Sequence, residues 1–240
     1  VFIPLSLIEQ CSSKLLELDD ADGMQFVSLG VDVARFGDDE TIIYRNYHGH
    51  CKIVRNRRGQ NLMATVGDIV QEFKKIYREH PTYESKVYVQ IDDTGLGGGV
   101  TDRLKEVRKE QKLYKMQVIP INAAEKIETD TAAGKDAAER YNNLTTAMWA
   151  SMRDLLDNKQ IVIEDDEQTI GQLSSRKYTM ASNGKLEIEP KKEMKKRGLD
   201  SPDRADALAL ALYLGKIKKH TGSAPSVGAM KKLSKDNYWG

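Results

Sequence analysis

Three groups of acidic residues could do chemistry in this chain. Asp32 sits inside the apolar run Phe26-Val27-Ser28-Leu29-Gly30-Val31-Asp32-Val33-Ala34, Asp92-Asp93 end Val87-Tyr88-Val89-Gln90-Ile91, and Asp203 and Asp206 open Ala207-Leu208-Ala209-Leu210-Ala211-Leu212. A carboxylate in a core segment is costly, and two carboxylates about 4 Å apart repel by roughly 4 kcal/mol at an effective dielectric of about 20. Converging carboxylates therefore imply protonation or bound cations. Carboxylate and water ligands suit Mg²⁺ or Mn²⁺ rather than zinc. Two such ions about 3.5 to 4 Å apart would activate a water and stabilise the leaving oxygen in an in-line attack on a phosphodiester. In that arrangement Asp32 is the bridging ligand, Asp92 completes one ion and Asp206 the other. Asp203 is an additional ligand or supports one from behind, Asp93 is the remaining alternative, and Asp38 and Asp39 read as solvated turn residues.

Singly, each cluster also has a structural reading. An Asp in a strand can be a satisfied polar core residue, Asp92-Asp93-Thr94-Gly95 can be a turn, and Asp203 near a helix start stabilises the helix dipole. Their joint occurrence on a strand, a strand end and an inward helix face favours a metal site. Strand alternation puts Asp32 on a face with Ser28, Gly30 and Ala34, whose small side chains leave room beside the charge, and puts Asp92 with Tyr88 and Gln90. Asp206 shares a helical stripe with Leu210 and Leu214, with Asp203 one turn earlier and Arg204 as an outlying charge.

The elements that must position these groups follow from periodicity. A strand is expected at about Gln25 to Ala34, a turn at Arg35-Phe36-Gly37-Asp38-Asp39, and two further strands at Glu40 to Tyr47 and His50 to Arg57, forming an antiparallel meander. Leu62, Val66, Ile69, Val70, Phe73, Ile76 and Tyr77 mark a helix ending before His80-Pro81, followed by a strand from Lys86 to Ile91. Gly95 to Gly99 form a turn into a helix from Val100 to Lys109, and Leu113 to Ile121 reads as a fifth strand. One long helix is expected over Gly134 to Leu156, with Trp149, Met148 and Met152 as core. After the short Ile161-Val162-Ile163, strands Ser174 to Met180 and Lys185 to Glu189 flank Asn183-Gly184, a pair that favours a two-residue type I′ turn. Ser201 caps a last helix with Pro202 at its first position, running to about Gly215.

Bulk properties fit one large domain with extensions. The chain has 240 residues, 40% hydrophobic and 30% charged, with a net charge of +1. That charge sets up no global field for a polyanion, so nucleic-acid affinity must come from local patches. Two separated cysteines, Cys11 and Cys51, indicate neither a disulfide framework nor a thiolate zinc site. No apolar stretch approaches the roughly 20 residues of a membrane span, and the start lacks a signal-peptide pattern, so a soluble intracellular protein is expected. The expected divisions are residues 1–24 as a connector, 25–216 as the domain and 217–240 as a flexible basic tail.

The order of strand-Asp, meander, strand ending in Asp and helix bearing Asp resembles the ribonuclease H-like fold. Within it Gly30-Val31-Asp32-Val33-Ala34-Arg35-Phe36-Gly37-Asp38-Asp39, Ile91-Asp92-Asp93-Thr94-Gly95-Leu96-Gly97-Gly98-Gly99-Val100 and Ser201-Pro202-Asp203-Arg204-Ala205-Asp206-Ala207-Leu208 closely resemble the nuclease domain of tailed-bacteriophage terminase large subunits, over about residues 25 to 215. The resemblance implies an α/β fold with a mixed central sheet flanked by helices. It also implies an endodeoxyribonuclease that cuts concatemeric double-stranded viral DNA during genome packaging with two Mg²⁺ or Mn²⁺ ions. Asp32, Asp92 and Asp206 match the family's three metal carboxylates, and some members carry His where Asp203 stands. An ATPase motor precedes the nuclease in that family, and Val1-Phe2-Ile3-Pro4-Leu5-Ser6-Leu7-Ile8 resembles its end or its linker. The implied partners are double-stranded DNA, the motor, the portal and the small terminase subunit, in the cytoplasm of an infected bacterial host.

Thr131-Ala132-Ala133-Gly134-Lys135-Asp136 lacks the spacing of a phosphate-binding loop and reads as a helix start, so no ATP hydrolysis is expected of this chain. Phosphate contacts are expected from Lys191, Lys192, Lys195, Lys196 and Arg197 on a loop beside the acidic helix, extended by Arg176, Lys177 and Lys185 on the hairpin, with weak sequence preference. His48-Gly49-His50 has no third ligand nearby and is not a metal site. A Holliday-junction resolvase or transposase-like nuclease would use a similar fold and metals, but the glycine-loop spacing favours the terminase reading. An actin-like or sugar-kinase-like phosphotransferase would need a second duplicated domain, and a non-catalytic packaging docking module is the remaining alternative.

Overall fold

The computed structural model describes residues 1–12, 24, 26–34, 39–123, 125–129 and 132–215. The expected acidic loop Asp19–Gly23, the turn residues Arg35 to Asp38 and the basic tail from Ile217 lie outside them. In chain order the elements are α1 (Leu5–Ser12), β1 (Val27–Asp32), β2 (Thr41–Tyr47), β3 (His50–Arg57), α2 (Leu62–Glu79), β4 (Val87–Asp92), α3 (Gly97–Glu110), β5 (Met116–Ile121), α4 (Ala132–Arg140), α5 (Leu144–Asp157), β6 (Val162–Ile163), α6 (Glu167–Ser175), β7 (Tyr178–Met180), β8 (Leu186–Ile188), α7 (Lys191–Lys196) and α8 (Asp203–Leu212).

The main sheet has six strands in the order β5-β4-β1-β2-β3-β6, with β7 and β8 as a separate hairpin. β1, β2 and β3 run antiparallel, while β4 lies parallel to β1 and β5 parallel to β4. This is the mixed order expected of a ribonuclease H-like sheet, and it sets the carboxyl ends of β1 and β4 side by side. Alternation divides the core in two. Val27, Leu29 and Val31 join Val87, Val89 and Ile91 under Ile69 and Phe73 of α2 and Val100 and Leu104 of α3. The opposite face, bearing Ile42, Tyr44 and Tyr88, packs with residues of α1, α5 and α8.

α8 lies on β1 almost without intervening side chains, and all ten of its residues are buried. A methyl group at Gly30 would overlap the Ala207 carbonyl oxygen and the Ala211 nitrogen. The small face of β1 therefore does not leave space beside Asp32; the backbone of α8 fills it. Side chains bind the helix's C-terminal carbonyls from below: Ser28 Oγ donates to Ala211 O at 2.5 Å and Gln90 Nε2 to Leu210 O at 2.6 Å.

Several expectations need correction. The long helix breaks into α4 and α5 because Asn143 turns extended and its side chain caps Thr146 N, while Tyr141 bridges to Leu186. The strand expected from Ser174 begins only at Tyr178, because Ser174 and Ser175 end α6, a helix capped by Asp166. Only Gly184 of the Asn183-Gly184 pair has positive φ, +76°, so the turn is not type I′; Ala181 and Lys185 close a loop with a left-handed glycine at its end. α3 begins at Gly97, where a methyl would overlap the Asp92 carbonyl, three residues before the expected start. Pro202, not Ser201, is the cap of α8, which ends at Leu212. The first twelve residues, within the expected connector, pack on the domain: Phe2, Ile3, Ile8 and Cys11 are buried in the core, and Phe2 N–H donates to Arg176 O at 2.7 Å.

Gly30→Ala is expected to destabilise the fold by about 3 kcal/mol or more, because the obstruction is helix backbone and not a side chain that can turn aside. Urea denaturation followed by circular dichroism measures the loss; a variant within 1 kcal/mol of the parent would contradict the close α8–β1 contact.

Candidate metal centre

A cleft of about 570 Å³ opens at the carboxyl ends of β1 and β4, and Asp32, Asp92, Asp203 and Asp206 all line it. Asp32 ends β1, Asp92 ends β4, and Asp203 and Asp206 sit in the first turn of α8, one turn apart and facing the same way. Close packing at Gly30 is what brings the helix carboxylates over the strand carboxylate.

The ammonium of Lys191 stands among them. Its Nζ lies 2.9 Å from Asp206 Oδ2, 3.4 Å from Asp32 Oδ2 and 3.7 Å from Asp203 Oδ1. Lys191 was expected to contact DNA from a loop; instead it begins α7, whose Met194 is buried and anchors the helix. Burial works against the lysine's charge, but Asp206, Asp32 and Asp203 outweigh it and hold the group protonated well above its usual range. Burial also pushes the Asp32 carboxyl up to about 7, with Asp206, Asp203 and Asp92 adding to the rise and Lys191 opposing it. For Asp206 burial is outweighed by Lys191 and Arg176, which hold its carboxyl below the ordinary value.

Each of three carboxylates has one oxygen fixed by a donor. Asp206 Oδ1 accepts from Trp149 Nε1 at 2.7 Å and Arg176 Nη1 at 2.9 Å; Asp203 Oδ2 accepts from Glu40 N at 2.8 Å; Asp92 Oδ1 accepts from Thr94 N at 2.9 Å. The other oxygens of Asp206 and Asp203 are the ones that meet Lys191. Among the described residues Asp32 has no fixed donor of that kind; its Oδ2 accepts from the Lys191 ammonium at 3.4 Å.

The donor set fits hard divalent cations: three carboxylates, Asp32, Asp203 and Asp206, already surround a cation on a lysine stem, and Asp92 lines the same cleft. Ions of the Mg²⁺ type need oxygens at about 2.0–2.1 Å, whereas an ammonium accepts about 2.9 Å. Among the described residues no three Asp, Glu, His or Cys groups are drawn together tightly enough to hold a metal as they stand. The oxygens around Lys191 Nζ, at 2.9, 3.4 and 3.7 Å, are spaced for an ammonium and not for an ion of that size.

Not every expected residue joins the site. Asp93 does not line the cleft; it turns toward the start of α3, with Oδ1 buried. Arg176, expected as a hairpin DNA contact, is 2% exposed, stacks 4.5 Å over the Trp149 ring and pairs with Asp206, so it supports the centre from within. Lys185 is partly buried and donates to Ala138 O at 2.6 Å. Arg197 is tied to Glu189 and Ser175 O. Lys177, Lys192, Lys195 and Lys196 are exposed, and Lys195 reaches Asp39, which lines the cleft and is more than a solvated turn residue. Arg204 is no outlier either: it is buried and bonds Asp166 and Glu40, whose backbone N–H holds Asp203. Sequence reasoning missed Trp149 as a donor to Asp206, since nothing in its helical spacing separates an indole that packs from one that also donates.

No protein-family model matches this sequence, and no curated protein matches it. Solved structures do match in fold. The nuclease domain of the large terminase subunit gp2 of bacterial virus Sf6 superposes with a TM-score of 0.66 at 17% identity, over 89% of this chain and 98% of that one. A lysine-to-alanine mutant of gp2 with calcium gives 0.67 at 17% identity over 89% and 99%, and one with manganese gives 0.65 at 17% over 89% and 99%. This chain therefore has the ribonuclease H-like fold seen in those nuclease domains.

Two outcomes follow from the electrostatics. Folded Asp32 holds its proton more tightly than the unfolded chain, whose carboxyl titrates near 3.8, so its contribution favours the fold at low pH and is lost as pH rises toward about 7. A divalent cation takes the proton's place, so the rise in Tm on adding Mn²⁺ should be small at pH 5 and larger at pH 8; equal rises would contradict this. Lys191→Ala removes the resident cation, so scanning calorimetry in EDTA should show a lower Tm and addition of Mn²⁺ a larger recovery than in the parent.

Proposed function

We propose that this chain is a metal-dependent endonuclease that cuts concatemeric double-stranded viral DNA during genome packaging. The observation that carries the reading is the ring of Asp32, Asp203 and Asp206 around one ammonium, with Asp92 beside it, in a fold shared with phage terminase nuclease domains. Similar domains of bacterial virus Sf6 are known with manganese and with calcium, which supports a divalent cation here.

Asp32, Asp92, Asp206 and Asp203 would hold two Mg²⁺ or Mn²⁺ ions, which when bound supply an activated water and charge stabilisation at the leaving oxygen. Asp32, whose described donor is the Lys191 ammonium, would help to hold both ions, with Asp92 and Asp206 each at one. The exposed Lys192, Lys195, Lys196 and Lys177 border the cleft's α7 and hairpin side and would meet phosphates, which position a duplex without reading its bases. Lys191 carries its charge where a scissile phosphate and ions would gather, so it would compete with the ions for the same oxygens. In the cell the domain would work in the cytoplasm of an infected bacterium, joined to an upstream ATPase motor and acting with the portal and the small terminase subunit. ATP hydrolysis would belong to that motor.

Plasmid digestion with Mg²⁺, Mn²⁺, Ca²⁺ or EDTA tests the reading. Cleavage is expected with Mn²⁺ or Mg²⁺, none in EDTA, and a loss on the order of a hundredfold or more in Asp32→Asn and in Asp206→Asn. Cleavage that survives both substitutions would move the active site elsewhere.

A further inference from the structure

We infer that Trp149 and Arg176 are positioning residues that make the centre select small octahedral cations over calcium. The inference rests on the metal-site reading above. A carboxylate can bind a cation through one oxygen or through both. Ca²⁺ takes six to eight oxygens at 2.3–2.6 Å and readily uses two-oxygen carboxylates; Mg²⁺ demands near-octahedral geometry at 2.0–2.1 Å and uses few protein oxygens. The donors at the cleft decide between these modes before any ion arrives.

Asp206 is the most constrained. Trp149 Nε1–H has no acceptor role and spends its single proton on Oδ1, and Arg176 Nη1 adds a second bond to the same oxygen. Neither donor can swing away. Trp149 is fully buried on α5, and Arg176 is held by its Nε–H to Glu189 O at 2.9 Å, by the indole beneath it, and by Phe2 N–H on its own carbonyl. Oδ2 alone faces the cleft. Backbone N–H groups occupy one acceptor site on Asp203 Oδ2, through Glu40, and on Asp92 Oδ1, through Thr94, a weaker restriction than the two bonds on Asp206 Oδ1. Asp206 thus presents one oxygen, which meets the needs of Mg²⁺ or Mn²⁺ and withholds a second from an ion that wants more.

Removing a backbone donor would take a proline, which also constrains the chain, so the side-chain donors Trp149 and Arg176 are the testable pair. Isothermal titration of Mn²⁺ and Ca²⁺ into the parent chain, Trp149→Phe and Arg176→Met is read as the ratio of the two affinities, with circular dichroism and thermal melts in EDTA confirming that each variant is folded. Outer partners of metal ligands typically change affinity by about 10–100-fold, and the ratio is expected to move toward calcium by about tenfold in either variant. A ratio unchanged within twofold, or equal losses for both ions, would overturn the inference while leaving the metal site standing. Absence of divalent-cation binding in the parent chain would overturn both.

Discussion

Everything at the active end of this fold depends on how closely a helix can lie on a strand. α8 approaches β1 until backbone meets backbone at Gly30, and Ser28 and Gln90 occupy the carbonyls at the far end of the helix. Because the first turn of α8 carries Asp203 and Asp206, that approach determines how near they come to Asp32. An alanine-rich helix is suited to the role, since small side chains keep the distance short and leave little to repack. Burial of every α8 residue then fixes the helix against rotation, which would swing both carboxylates out of the cleft.

Bringing like charges together creates a debt that the surroundings settle with fixed donors and cations. Lys191 supplies one charge at the centre and Arg176 a second behind Asp206. Farther back Arg204 lies between Glu40 and Asp166, joining the entry of β2, the cap of α6 and the start of α8. Buried ion pairs add little net stability, but they penalise alternatives in which one partner is left alone. Here they hold three elements in register around the cleft.

Much of this was legible in the sequence where periodicity is strong. The alternation in Val27 to Asp32 and Val87 to Asp92 placed the two strand carboxylates, and the apolar stripe of α2 fixed its extent to within a residue. Of the five aspartates lining the cleft, Asp32, Asp92, Asp203 and Asp206 were singled out from type and position, whereas Asp39 read as a solvated turn residue. What escaped was set by contacts distant in the chain. Asn143 breaks a helix whose composition reads as continuous, because its side chain caps better than it continues. Lys191 and Arg176 read as surface cations, since spacing does not tell which way a basic side chain turns. Only the burial of Met194 and the stacking on Trp149 turned them inward.

The lysine at the centre has a consequence for the order of events in the life of the chain. In zinc fingers and similar small domains the polypeptide cannot settle until its ion is present, so folding and loading are one event. Here the counter-charge is built in. One covalently attached ammonium offsets part of the carboxylates' charge in the folded chain, so the architecture does not depend on an ion to supply all of it. The ammonium and a divalent cation would then compete for the same oxygens on a scaffold that is already folded.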